Sequence, residues 1–470
     1  MNTQLILEAA RQAWDRMEPM RATRERHTRY TYGDQWADPV TLRDGRRVTE
    51  GEQVALSGRP PLTNNLIRRL VKSVVGRFRQ EEAGASGHRV PETVAARNRL
   101  HELDARTLEE FLISGMAIHY VCAETRPSGA GIWVDNVPPE RFFVNAMRDP
   151  RGCDMELAGR LLDMSVAEVV MRFAPDDRRR ARELRRLYGS LADTGSLPLS
   201  GPEPPVNFYH APAGRCRVIE VWTLECREWL RVHDPAEAVY ALLPATREPD
   251  LKKLARRRRK AGLPEPRWRP SMRAAWHGRW LAPDGTLLGE ADSPFASGAA
   301  PFAVKMYPMT DGNVHSLVED VIDQQRYVNR LITTMDHIMG TAAKGVLLFP
   351  VQSKVEGMSW ESIQRMWADP GGIIPYRPAG DAKPEQVVTP VADIGARDML
   401  QTQIRLFEEV SGVSDALMGK TVSPAIGAKR YESEVRNAAA SISDLMETYR
   451  DFLTTRDDLI LGLSTACREP

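Results

Sequence analysis

Residues 301–349 read PFAVKMYPMTDGNVHSLVEDVIDQQRYVNRLITTMDHIMGTAAKGVLLF, and this stretch decides the fold. A polar turn (Thr310, Asp311, Gly312, Asn313) leads into a helix, and Ser316 and Glu319 mark its start with S-x-x-E spacing. In that capping box the Ser hydroxyl accepts from the third helical amide while the Glu carboxylate reaches back to the cap. Apolar residues follow at Leu317, Val318, Val321, Ile322, Val328, Leu331, Ile332, Met335, Ile338 and Met339, one stripe with a period near 3.6. The other faces carry Glu319, Asp320, Asp323, Gln324, Gln325, Arg326, Asn329 and Arg330. From 315 to 341 such a helix is roughly 40 Å long. A polar-faced rod of this length with no catalytic motif on it points to a spanning or assembly element, and Lys344–Phe349 reads as a strand after it.

Composition narrows the class. The chain has 470 residues, 42% hydrophobic and 27% charged, enough for a core and for two to four modules. With 64 basic and 63 acidic residues the formal net charge is +1, which argues against tight, sequence-independent coating of duplex DNA. Cys122, Cys153, Cys216, Cys226 and Cys467 are odd in number and scattered, so reduced thiols are expected rather than a disulfide framework. No apolar run approaches the ~18 residues that span a bilayer, and the N-terminus does not read as a signal peptide.

Along the chain, helices are expected at 3–28, 64–80, 91–117 (one or two), 165–174 and 176–192. Strands are expected at 117–124, 131–136, 142–144, 215–224 and 226–232, with a hairpin over 275–290 turning at Pro283-Asp284-Gly285. The Pro-rich stretch 194–213 reads as a module boundary, 246–270 is highly charged, and 369–392 is a Gly- and Pro-rich loop. Helices at 393–411 and 427–464 close the chain, which makes it α+β.

Two further stretches join the long helix. Tyr32-Gly33-Asp34-Gln35-Trp36 is followed after a loop by Arg59-Pro60-Pro61-Leu62-Thr63-Asn64-Asn65-Leu66-Ile67 and a basic amphipathic helix. Near the C-terminus, helix 393–411 runs into Ser411-Gly412-Val413 and Leu417-Met418-Gly419 before the last helix. In this order the elements resemble the portal proteins of tailed phages, those of short-tailed phages in particular. The resemblance implies a portal fold with an α/β wing, a long helical stem, a small α/β clip and a helical crown. It places an N-terminal wing region at 1–160, a first stem helix and linker at 161–214, a clip at 215–305, and a second stem helix at 306–341. A wing strand and tunnel loop then take 342–392, and channel and crown helices 393–470. It further implies a ring, a dodecamer, at one capsid vertex of the virion, assembled in the host cytoplasm. Its partners would be terminase, tail adaptor, major capsid and scaffolding proteins, with double-stranded DNA passing through the channel. On that reading Leu317, Val321, Val328, Leu331, Ile332 and Met335 pack the stem. Arg377, Asp381 and Lys383 are channel-facing candidates, and Arg256, Arg257, Arg258, Arg259 and Lys260 dock a partner.

Ser414–Thr421 (SDALMGKT) approaches a phosphate-binding loop, but it lacks the first Gly and follows a helix rather than a strand. The arginines between Arg178 and Arg186 alternate with acids as on a helix surface. Glu319, Asp320 and Asp323 suit the positive end of a helix dipole. No H-E-x-x-H, G-x-S-x-G or G-x-G-x-x-G occurs, so no metal, no cofactor and no enzyme activity are expected. The alternative, a terminase-type packaging enzyme, requires a nucleotide loop and a carboxylate cluster that are not found.

Overall fold

Asn2 opens the first helix by accepting the Gln4 amide at 3.1 Å on its side chain, and α1 (Thr3–Arg16) then buries Ile6, Leu7, Ala10, Ala13 and Trp14. The computed structural model describes residues 2–84, 89–126, 129–192, 206–310, 312–342, 346–369, 372–378, 383–387, 395–413 and 442–466. After α2 (Glu18–Tyr32) come the short hairpin β1 (Pro39–Thr41) and β2 (Arg47–Thr49), and then α3 (Glu50–Leu56) with a complete Thr49–Glu52 capping box. Next are α4 (Leu66–Gly84), α5 (Glu92–Asn98) and α6 (Leu100–Ser114). Gly115 ends α6 at φ +74°, and a side chain there would also lie 2.7 Å from Val314, so only glycine fits.

Strands β3 (Met116–Arg126), β4 (Gly129–Asn136), β5 (Phe142–Val144) and β6 (Leu157–Met164) precede α7 (Val166–Phe173) and α8 (Arg178–Ala192). Then follow β7 (Cys216–Asp234), β8 (Val239–Pro244), α9 (Glu248–Lys260), β9 (Arg267–Leu281) and β10 (Leu287–Asp292). Strands β11 (Phe302–Met306), β12 (Pro308–Thr310) and β13 (Asn313–Val314) lead to the long α10 (Leu317–Ala342). The rest is β14 (Val346–Leu348), α11 (Trp360–Ala368), β15 (Glu385–Val387), α12 (Ala396–Ser411) and α13 (Ser443–Ala466).

The main sheet is antiparallel in the order β10-β9-β7-β6-β5, with β8 also paired to β7. The first part of β7, Cys216–Trp222, is buried residue after residue because both of its sides are covered. Ile219 and Val221 join α1, β5 and Phe302 in one core, while Cys216 and Val218 join α7 and α8 in another. Across this sheet the buried Glu220 accepts from Arg160 Nε and Trp222 Nε1, both at 2.8 Å. A second sheet, β11-β3-β4, carries α13 and α6.

The chain divides into two compact units, Met1–Thr28, Val71–Glu319 and Ala439–Pro470 in one, Arg29–Leu70 and Asp320–Ala438 in the other. The main sheet runs across two of the boundaries expected from sequence. Boundaries at 160 and 215 lie inside one sheet, because β6 pairs with β7 from Leu157↔Thr223 to Met164↔Cys216. Within 215–305, β7, β8, β9 and β10 belong to the main sheet, and β11 pairs with β3. The loop expected at 369–392 also contains a strand, since β15 pairs with β14 through Val346↔Val387. The first part of the helix expected at 427–464 lies outside the described residues, and α13 supplies the remainder.

Candidate functional site

The long helix begins as its sequence foretells: Ser316 Oγ accepts from the Glu319 amide at 3.1 Å. The Glu319 carboxylate does not return to the cap but pairs with His315 Nδ1 at 3.1 Å. Leu317, Val318, Val321, Ile322 and Val328 are buried, whereas Leu331, Ile332 and Met335 are only half-buried.

The correction on α10 concerns its polar side. Gln325 and Asn329, which the sequence places off the apolar stripe, are buried along with Thr333. Positions 325, 329 and 333 form one row, four residues apart. That row holds segment 62–66, whose last residue begins α4. Thr333 Oγ1 accepts from the Leu62 amide at 3.0 Å, and Asn329 Oδ1 from the Asn64 amide at 3.0 Å. Gln325 Oε1 accepts from the Leu66 amide at 2.9 Å, and its Nε2 donates to the Asn64 carbonyl at 2.7 Å. The pairing is regular: each four-residue step along the row, ~6 Å of rise, meets the amide of every second residue of the segment. Residues 61–65 lie in no helix or strand, so their amides need partners of this kind. Asn329 Nδ2 also donates to Gln35 Oε1 at 2.6 Å, and Gln35 Nε2 donates to the Tyr30 carbonyl at 2.7 Å. This explains why Gln35 and Arg59–Ile67 belong with the long helix.

On an adjoining face, buried Glu50 accepts from Arg326 Nη2 at 3.0 Å and from Arg330 Nε at 2.7 Å. Burial pushes the Arg326 pKa down, and Glu50 more than offsets this, holding it above its usual value. The signal that sequence reading passed over is the Gln-x₃-Asn-x₃-Thr row within α10.

The basic run on α9 does not act as one patch. Arg258 is buried and pairs with Asp234, and with Glu237 at 2.8 Å, while Arg259 pairs with Glu265 at 2.6 Å. Arg256, Arg257 and Lys260 are exposed and form no ion pair among the described residues. Arg377 and Lys383 are exposed too, Arg377 lying 3.7 Å from Glu356 with its amide donating to the Ser353 carbonyl at 2.9 Å. Asp381 lies outside the described residues, as do the loop Ser414–Thr421 and Cys467.

Several titratable groups are buried without forming a catalytic pocket. Arg456 is held by Asp104 and Asp457. His119 Nε2 lies 2.8 Å from Thr107 Oγ1, whose hydroxyl donates to the Leu103 carbonyl, so Nε2 carries the proton. Burial, then the nearby Arg456, keep the His119 imidazole well below its usual pKa. Burial also pushes the Cys122 thiol up to about 12 and Cys216 to about 11, so neither is a nucleophile. Among the described residues no cluster of His, Cys, Asp and Glu is arranged to hold a metal, and no helix is long and apolar enough to cross a membrane.

Compared with known families, residues 91–456, well over half of the chain, match the model of the phage P22-like portal protein. The match takes in both large sheets, α10 and α12, and begins after the Gln35 and Arg59–Ile67 stretches. No curated protein matches the chain.

Proposed function

The chain belongs to the phage P22-like portal family, and from that premise we propose that copies of it close into a dodecameric ring that packages the genome, joins the tail and releases DNA at infection. Portal proteins are structural rather than catalytic, and they sit at the capsid vertex of the virion. In our reading the ring recruits terminase during packaging and a tail adaptor afterwards, contacts major capsid and scaffolding proteins, and has no ATPase activity of its own.

One observation carries the ring. The unit containing α10 and α12 leaves large apolar side chains in solvent: Met339 on α10, and Met399, Leu406 and Val410 on α12. The α12 residues fall at i, i+7 and i+11, a single helical stripe. Such a stripe, with half-buried Leu331, Ile332 and Met335 on α10, is the surface that a neighbouring subunit covers. A contact that pairs unlike faces and closes by rotation produces a ring.

A second reading concerns where partners dock. The portal resemblance sets the clip between two stem helices. If α10 and α12 are those two helices, in place of 161–214 and 306–341, the β14–β15 pair and α11 lie between them, with Val351 and Ile373 strongly exposed. This order favours 346–387 as the clip over 215–305, which completes the main sheet. Arg377 and Lys383 stay as channel-facing candidates. A cysteine at Lys383, in a chain whose native cysteines are serine, should be shielded from a bulky thiol reagent once DNA fills the ring; labelling indifferent to DNA removes it from the channel.

The functional test is complementation. In a phage whose own copy of this chain carries a stop codon, the chain supplied in trans should restore DNA-filled heads. Filled heads in its absence would overturn the proposal.

A further inference from the structure

The second half of β7, with β8 and the first half of β9, forms a three-stranded extension of the main sheet. Helix α9 covers one side of it, where Leu230, Val232 and Leu251 form a small core beside Leu243 and Trp268. Directly paired residues of an antiparallel ladder share a face. The register pairs Trp229, Arg231 and His233 with Ser271, Arg269 and Arg267 on β9, and Arg231 and His233 with Leu242 and Tyr240 on β8. These residues alternate with Leu230 and Val232, so they lie on the side opposite α9.

That side is basic and aromatic. Arg231, Arg267 and Arg269 are exposed and form no ion pair among the described residues. Arg231 stands directly opposite Arg269, a like-charge pairing that destabilises a sheet unless an anion lies between. The acids of the connecting turn do not neutralise them: Asp234 and Glu237 are taken by Arg258. Tyr240 is 77% exposed, its ring stacked on His233 with 4.3 Å between centroids and 17° between planes. The extension is also where the chain's charge concentrates. Residues 226–273 hold 13 Lys and Arg against 6 Asp and Glu, in a chain whose formal net charge is +1.

We infer that this face binds the phosphate backbone of nucleic acid through Arg231, Arg267 and Arg269, with Tyr240 offering a ring on which a base stacks. Along β9 the guanidinium stems of Arg267 and Arg269 leave the strand ~6.6 Å apart, a row of cations suited to a linear polyanion. A flat exposed ring among unpaired cations is the chemistry of sequence-tolerant nucleic-acid platforms, and it favours a base over the side chain of an acidic peptide. The surface goes beyond the portal reading. It does not require the ring, and the oligomeric state of every variant is measured alongside, so the two fail separately.

The test uses the full chain and fluorescence anisotropy with labelled single-stranded and duplex oligonucleotides across a salt series. Replacing Arg231, Arg267 and Arg269 with Ala should flatten the slope of log affinity against log salt by about 2 for single strands and about 3 for duplex. A control triple on α8, Arg178→Ala, Arg182→Ala and Arg186→Ala, removes the same charge and should leave the slope unchanged. Because the sites are exposed, a Lys triple that keeps the charges should retain most of the binding. Tyr240→Ala separates the sources: a loss of about tenfold confined to single strands shows base stacking, and a loss for neither assigns the face to duplex backbone alone. An unchanged slope in the first triple, equal losses in both triples, or polyglutamate outcompeting both oligonucleotides would overturn the inference.

Discussion

Gln325→Leu isolates the row of side chains that ties segment 62–66 to α10. Leucine keeps the volume and the helix, so neither a cavity nor lost helix propensity enters. What goes is one acceptor of the Leu66 amide, one donor to the Asn64 carbonyl and the acceptor of the Ile67 amide, at 2.9, 2.7 and 3.3 Å; the Leu66 amide and the Asn64 carbonyl keep each other at 3.0 Å. Each hydrogen bond lost costs about 0.5–1.5 kcal/mol net. Three such bonds come to about 2–3 kcal/mol. The loss is local, and amide hydrogen exchange reads it locally. The Leu66 amide should exchange roughly 30- to 150-fold faster, at about tenfold per 1.4 kcal/mol. Thr333→Val frees only the Leu62 amide and should accelerate that one alone, by about tenfold. Asp336→Ala, on an exposed position of the same helix, should change neither. If Gln325→Leu and Asp336→Ala give the same protection at Leu66, the row does not hold the segment and the reasoning fails.

Leu331→Asp should leave the chain folded, because Leu331 is half-buried in the single subunit, yet abolish rings by placing an unpaired charge where a neighbour packs; ring yield equal to that of Asp336→Ala in size-exclusion chromatography would refute this. For docking, Ile373→Asp should cut terminase or adaptor capture at least tenfold while Ala at Arg256, Arg257 and Lys260 changes it little; the reverse ranking would return the docking surface to α9. Acid should weaken the fold in two stages. Burial holds the folded His27 and His119 below their usual pKa, so the unfolded chain takes up protons first and their stabilisation, full above pH ~6.5, is lost as pH falls below it. Burial pushes the Glu225 carboxyl up, Arg279 and Arg227 more than offset this and leave it at about 2, so its contribution is full above pH ~4.5 and fades toward that value. A thermal midpoint constant from pH 7.5 to 5 would contradict the histidine stage.

The parts of the structure legible in the sequence are those whose signal is local. Helix α10 announces itself by period and by Ser316, and the β3–β4 and β9–β10 hairpins by strand composition around a turn. What stayed hidden depends on distant partners. Gln325, Asn329 and Thr333 look like any polar helix face until segment 62–66 is laid against them. The Pro-rich stretch 194–213 reads as a boundary, yet the strands on either side of it, β6 and β7, pair along their length. The net charge of +1 is an average that conceals the basic extension at 226–273. Leu230-Arg231-Val232 reads as part of the strand expected at 226–232, but its partner Arg267-Trp268-Arg269 lies between Pro266 and Pro270, which argue against a strand. On α9 the five-residue basic run reads as uniform, and only the fold shows that Arg258 faces inward to Asp234. That the chain closes into a ring is tested most directly by native mass spectrometry of the purified full-length protein, a 52.7 kDa subunit. A single closed assembly with a mass twelve times that of the subunit is the predicted result; only monomers or twofold dimers, at concentrations where the protein is soluble and folded, would contradict it.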